Sequence, residues 1–179
     1  MASDPPQCGK VYWCPECEVP LLTIVGERPR CDICGSEREE PIYAASSMRP
    51  VFKLERDLLR DKLPVEVPYN IFYNRRRIIY RGKTLFFFTL KQGEIALRKE
   101  NRGNGIRRSD LERDDYEGYL KKAVEANVSI LGLLEREATS FIREKTEQYP
   151  GRQHFVSFSG GKDSTVVATL VREALGQAT

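Results

Sequence analysis

Two short cysteine pairs constrain this chain more than anything else in it. Cys14-Pro15-Glu16-Cys17 and Cys31-Asp32-Ile33-Cys34 are CxxC turns separated by thirteen residues. A CxxC turn aims two thiolates at one ion, and two such turns across a hairpin complete a tetrahedral S4 site. Four protein ligands leave no position for water, so such a site is structural. Zinc is the expected metal for Cys14, Cys17, Cys31 and Cys34, with iron in the same geometry as the alternative, because thiolate softness suits both. Residues 1–10 contain no apolar segment of a secretory leader, so a cytoplasmic location and metal-bound thiolates are expected rather than disulfides. Cys8 falls outside the spacing and is expected to be a free thiol.

The rest of the composition fits a charged globular chain. Of 179 residues, 31% are charged and 40% hydrophobic. The longest apolar run, residues 84–90, is strand-sized and far short of the ~20 residues of a membrane helix, so no membrane role is expected.

The expected class is α+β in several parts. Residues 1–10 read as a tail and 11–43 as the ribbon, with short strands at 19–25 and 42–43. So small a module buries too little apolar surface to fold without its metal. Residues 44–108 read as a basic β-rich domain with one short helix. Pro50 is expected in that helix's first turn, Phe52, Leu54, Leu58, Leu59 and Leu63 along its apolar stripe, and Pro64 at its end. Strands are expected at 69–73, 77–81, 85–90 and 94–98, with a hairpin turn at Arg81-Gly82-Lys83. Residues 109–149 read as a long helix or helical pair, opened by a capping box at Ser109 and Glu112 and bent near 126–132, where Gly132 costs about 1 kcal/mol against alanine. Residues 150–179 read as a short strand at 154–158, a glycine turn, and a helix at 165–175.

That turn is the second informative motif. Ser159, Gly160, Gly161, Lys162, Asp163 and Ser164 follow an apolar strand and open a helix. Glycines let backbone N–H groups approach an anion, the helix N-terminus adds partial positive charge, and Lys162 adds a full one. It is not a Walker A loop: Val156 stands where the first glycine belongs, and Asp163 follows the lysine.

The string SFSGGKDST resembles the PP-loop of the adenine nucleotide alpha-hydrolase-like superfamily, and is most similar to its phosphoadenosine phosphosulfate reductase branch. A four-cysteine ribbon ahead of the loop is similar to archaeal-type members of that branch. The resemblance implies that residues 159–164 hold the phosphates of ATP or of an adenylyl sulfate in an oxidoreductase or sulfurtransferase. It covers only about residues 154–175 and the ribbon cysteines, and it assigns no role to 44–108. An open nucleotide-binding sheet needs several βαβ units of roughly 30 residues each. One strand and one helix follow His154, so the chain is expected to be the start of an incomplete α/β PP-loop domain. On this reading it is an N-terminal part completed in cis or by a partner chain, inactive alone, with no catalytic residue identifiable within it.

Residues 70–108 carry a net charge of +9, leaving −6 for the remainder. With Tyr69, Phe72, Tyr73, Tyr80 and Phe86, Phe87 and Phe88 interleaved, the block matches a face for RNA, as in a tRNA thiolation enzyme. Arginines solvating a β-domain, whose alternation already explains the aromatics as core, account for it more simply, and pairing with the acidic stretch 110–117 is a further alternative. His154 reads as a packing or capping residue.

Overall fold

The computed structural model describes residues 7–37, 42–62, 66–91, 94–99, 106–112 and 115–176. They fall into two units, Gln7–Val128 and the chain from Ser129 onward. The chain is α+β, and its two sheets are both antiparallel. No described helix is long and apolar enough to cross a membrane.

In the first unit, β1 (Val11–Cys14), β2 (Val19–Leu21) and β3 (Ile42–Ala45) form a small sheet in the order β2-β1-β3. A second sheet is a meander of β4 (Arg49–Pro50), β5 (Ile71–Asn74), β6 (Arg77–Tyr80), β7 (Lys83–Lys91) and β8 (Glu94–Lys99). Side chains alternate across its plane with period two. Phe72 and Ile79 face one core with Trp13, Cys14, Cys17, Val19, Leu21 and Cys31, while Ile71, Ile78, Tyr80 and Leu85 face another with Val51 and Val67. The ribbon therefore shares a core with the larger sheet.

The β6–β7 turn fixes that packing. Arg81 and Gly82 have φ of 49° and 73°, the double positive pattern of a tight two-residue hairpin. A Cβ on Gly82 would lie 2.7 Å from Trp13 Cγ, so the turn backbone rests directly on the indole. Trp13 in turn meets Phe72 edge-on, with centroids 6.4 Å apart.

The short helix is α1 (Lys53–Lys62), and it departs from expectation in two ways. Pro50 lies in β4 rather than in the helix. As the edge of the sheet, opposite Phe72, that strand tolerates a residue without an N–H. The leucine stripe does not face the core: Leu54 is 84% exposed, Phe52 and Leu58 are exposed, and Arg56 is fully buried instead. Polar anchors set the helix's rotation. Arg49 grips Glu55 through two bonds of 2.6 and 2.7 Å, Arg60 Nε donates to the Val67 carbonyl at 3.0 Å, and the Arg56 guanidinium lies 5.7 Å from the Tyr116 ring centre. Leu59 alone of the stripe packs on the second core, and Leu63 and Pro64 lie outside the described residues.

The 109–149 segment is three helices: α2 (Arg108–Glu112), α3 (Tyr116–Glu125) and α4 (Val128–Gln148). Ser109 sits inside α2 and does not cap it. The cap belongs to Asp115, whose carboxylate accepts the Gly118 N–H at 3.2 Å at the start of α3. The break at Ala126 and Asn127 lies in the expected span but not for the expected reason, since Gly132 lies within α4. Buried Asn127 donates to the Pro20 and Ala123 carbonyls at 2.8 and 2.7 Å and accepts the Leu22 N–H at 2.6 Å. Its amide thus pairs with the backbone around β2 as a neighbouring strand would.

In the second unit, α4 and α5 (Lys162–Leu175) are joined at the C-terminal end of α5, where Arg143 Nε donates to the Ala174 carbonyl at 2.9 Å. The expected strand at 154–158 is absent: these residues join no described ladder, and their own unit holds no other described strand to pair with. Neither sheet is a parallel α/β sheet.

Candidate metal centre and phosphate loop

The sulfurs of Cys14, Cys17, Cys31 and Cys34 all lie within 4.8 Å of one another, and could hold a metal ion such as zinc. The Cys14 and Cys34 sulfurs are 3.6 Å apart. Tetrahedral bonds of about 2.3 Å place neighbouring sulfurs about 3.8 Å apart, so this edge has the length a zinc site requires. Both knuckles turn alike: the residue after each second cysteine, Glu18 or Gly35, is left-handed, with φ of 57° and 68°. The Cys17 N–H points at the Cys14 sulfur at 3.4 Å, and the Gly35 N–H donates to the Cys31 carbonyl at 2.8 Å. Cys14, Cys17 and Cys31 are buried, Cys34 is exposed, and Cys8 is an exposed free thiol. Burial pushes the Cys14 thiol far above its ordinary range and Cys17 up to about 11, with the neighbouring cysteines adding to the shift. The Ser36 backbone lowers Cys34. A dication at the centre reverses this balance by compensating the thiolate charge.

Glu18 ties the knuckle to the larger sheet, pairing with Arg81 and Arg107. Arg107 passes the connection to Asp110, which is 4% exposed. The Asp110 Oδ2 accepts from Tyr80 Oη at 2.6 Å, Asn70 Nδ2 at 3.1 Å and Arg107 Nη2 at 3.1 Å. Burial alone would raise this carboxyl, but the three donors together lower it. The hub has no local signature in the sequence, where Ser109 and Glu112 on either side of Asp110 read as a capping box.

The hub also reassigns part of the basic block. Arg81, Arg107 and Arg108 are in ion pairs, the last two with Asp110 and Glu112 of the acidic stretch. Phe72, Tyr80 and Phe86 are buried core and offer no stacking surface. The side chains of Phe88, Lys91, Arg98 and Lys99, and all of Arg102, lie outside the described residues.

At the phosphate loop, Gly160 is left-handed with φ 75°, and Gly161 is the N-cap of α5. Gly161 supplies no side-chain cap, and the Thr165 N–H makes the first helical bond back to the Gly161 carbonyl at 3.1 Å. Backbone N–H groups of the first turn thus face outward with the helix dipole behind them. Ser159 and Ser164 bring their hydroxyls to 3.3 Å, and Ser164 donates to the Gly161 carbonyl at 2.9 Å. Lys162 and Asp163 are exposed beside them, as is His154 upstream. The helix begins at Lys162, three residues before the expected start, which puts the lysine in its first turn. Comparison with known protein families, curated proteins and solved structures returns no match to this chain.

Proposed function

We propose that this chain is the N-terminal portion of a PP-loop enzyme similar to phosphoadenosine phosphosulfate reductases. Ser159, Gly160, Gly161, Lys162, Asp163 and Ser164 would grip the phosphates of ATP or of an adenylyl sulfate for sulfur transfer or reduction. The observation that carries this reading is the uncapped start of α5 behind a left-handed Gly160, with Lys162 in the same turn. Backbone N–H groups, a dipole and a full positive charge converge where a phosphate would sit. As pyrophosphate or sulfite leaves, that charge would stabilise the departing anion.

The four-cysteine ion is read as zinc with a structural role, supported by its four protein ligands and the tetrahedral edge length. Completion of the nucleotide site by further structure, in cis or from a partner chain, is supported by exposed apolar surface. Phe155 is 91% exposed, and Phe158, Val166 and Val167 are exposed around the loop. Among the described residues from Ser129 onward, only Ala174 is a buried hydrophobic, too little for a self-sufficient core.

Pyridoxal phosphate followed by borohydride marks lysines that sit at phosphate sites. Lys162 should be marked ahead of Lys121, which is also exposed, and ATP should protect it. Equal marking of both lysines with no protection would end the phosphate-loop reading.

A further inference from the structure

A cleft of about 370 Å³ opens in the first unit between β3 and the β5–β6 hairpin. Tyr43, Ala45 and Ser46 form one side, Asn74 to Arg77 the other, with Phe87 between. Its walls are pinned together: the Asn74 side chain donates to the Ser47 carbonyl. Arg75 and Arg76 are the two residues of the hairpin tip, and both are exposed. Arg77 lies with its guanidinium 5.0 Å from the Phe87 ring centre. No acidic side chain lines the cleft among the described residues. Among those residues Arg75, Arg76 and Arg77 also join no ion pair, unlike Arg49, Arg60, Arg81, Arg107 and Arg108.

Arg75 holds φ at 54°, where glycine or asparagine sits at lower cost. A strained arginine at a tight turn points to a use for its charge. Opposite it, the Tyr43 ring is 53% exposed and steadied edge-on by Tyr12 at 6.1 Å, with Lys10 Nζ 5.7 Å from its centre. The cleft thus offers cations for phosphates, an open aromatic for a base, and the exposed Ser46 hydroxyl for a ribose.

We propose that this cleft binds single-stranded RNA, with Arg75 and Arg76 on backbone phosphates and a base stacked on Tyr43. A duplex would present its bases edge-on in a groove, and a cleft of this size admits about one unstacked nucleotide. The proposal stands apart from the phosphate-loop reading and uses none of its residues.

The test is fluorescence anisotropy of a labelled oligouridylate of about 12 nucleotides with the whole chain, over a salt series starting near 50 mM. The wild type should bind, weakening as salt rises. R75A/R76A should lose tenfold or more in affinity, and the log–log salt slope should fall by about 1.4, the worth of two single-strand phosphate contacts. Tyr43→Ala should lose about tenfold with the slope unchanged. Arg108→Ala, outside the cleft, should bind as the wild type does. Circular dichroism checks that each variant is folded, and Arg76→Glu, a single exposed change, repeats the charge test should the double variant fail to fold. No binding at the lowest salt, equal binding by wild type and cleft variants, or DNA of the same sequence length binding as tightly as RNA would overturn the proposal.

Discussion

Replacing Gly82 by alanine should be one of the most damaging single-methyl changes in the first unit. Two costs add. The backbone at φ 73° puts an L-residue in the left-handed region, at about 1–2 kcal/mol. The new methyl would meet Trp13 Cγ at 2.7 Å and Trp13 Cβ at 2.9 Å, and Trp13 is packed against Phe72 and the ribbon cysteines. Overpacking of that kind costs about 1–3 kcal/mol. The loss should therefore be about 2–5 kcal/mol. Gly26→Ala separates the two costs: its φ is 90°, yet nothing lies within 4 Å of the added Cβ. That control should show the backbone cost without the clash, and both variants share the same loss of unfolded-chain entropy on replacing glycine, so it cancels between them. Urea unfolding followed by the fluorescence of the single tryptophan reads both. If Gly82→Ala loses no more than Gly26→Ala, the turn does not rest on the indole and the packing argument fails.

Elemental analysis should find about one zinc per chain, and Cys31→Ser should release it and unfold the unit Gln7–Val128, because Cys31 shares its core with Phe72 and Ile79. A red iron-bearing protein would install iron instead, and no metal at all would sink the site. Asp110→Asn should cost about 1–3 kcal/mol at neutral pH, measured by urea unfolding. Its carboxyl is lowered in the fold from 3.8, so its contribution is full above that value and fades as pH falls through the folded one; the gap between variant and wild type should close in acid. Asn127→Ala should cost about 2 kcal/mol by the same assay, since it leaves the Leu22 N–H and the Pro20 carbonyl without their partner.

The ribbon and the hairpins were legible because their signals are local. CxxC spacing sets four sulfurs, and Arg81-Gly82 sets a turn, without reference to the rest of the chain. The rotation of α1 was not legible: Phe52, Leu54 and Leu58 make a good apolar stripe, but Arg56 on Tyr116 and the Arg49–Glu55 pair decide which face turns inward. The break before α4 and the Asp110 hub were hidden for a related reason. Asn127 acts on the Pro20 backbone 107 residues away, and Asp110 on the side chains of Tyr80 and Asn70, 30 and 40 residues away. The 154–158 strand was misread because an apolar run specifies a strand only where another strand is there to pair with it.

The phosphate loop is the centre of the account, and calorimetric titration of ATP and of an adenylyl sulfate tests it most directly. Wild-type protein should bind one nucleotide per loop, and Lys162→Ala should weaken binding roughly 10- to 100-fold, the worth of one charged partner to a phosphate. Supplying the neighbouring sheet, in a longer chain or as a partner, should tighten binding to the wild type and far less to Lys162→Ala. Wild type and Lys162→Ala binding the nucleotide equally well would contradict the account.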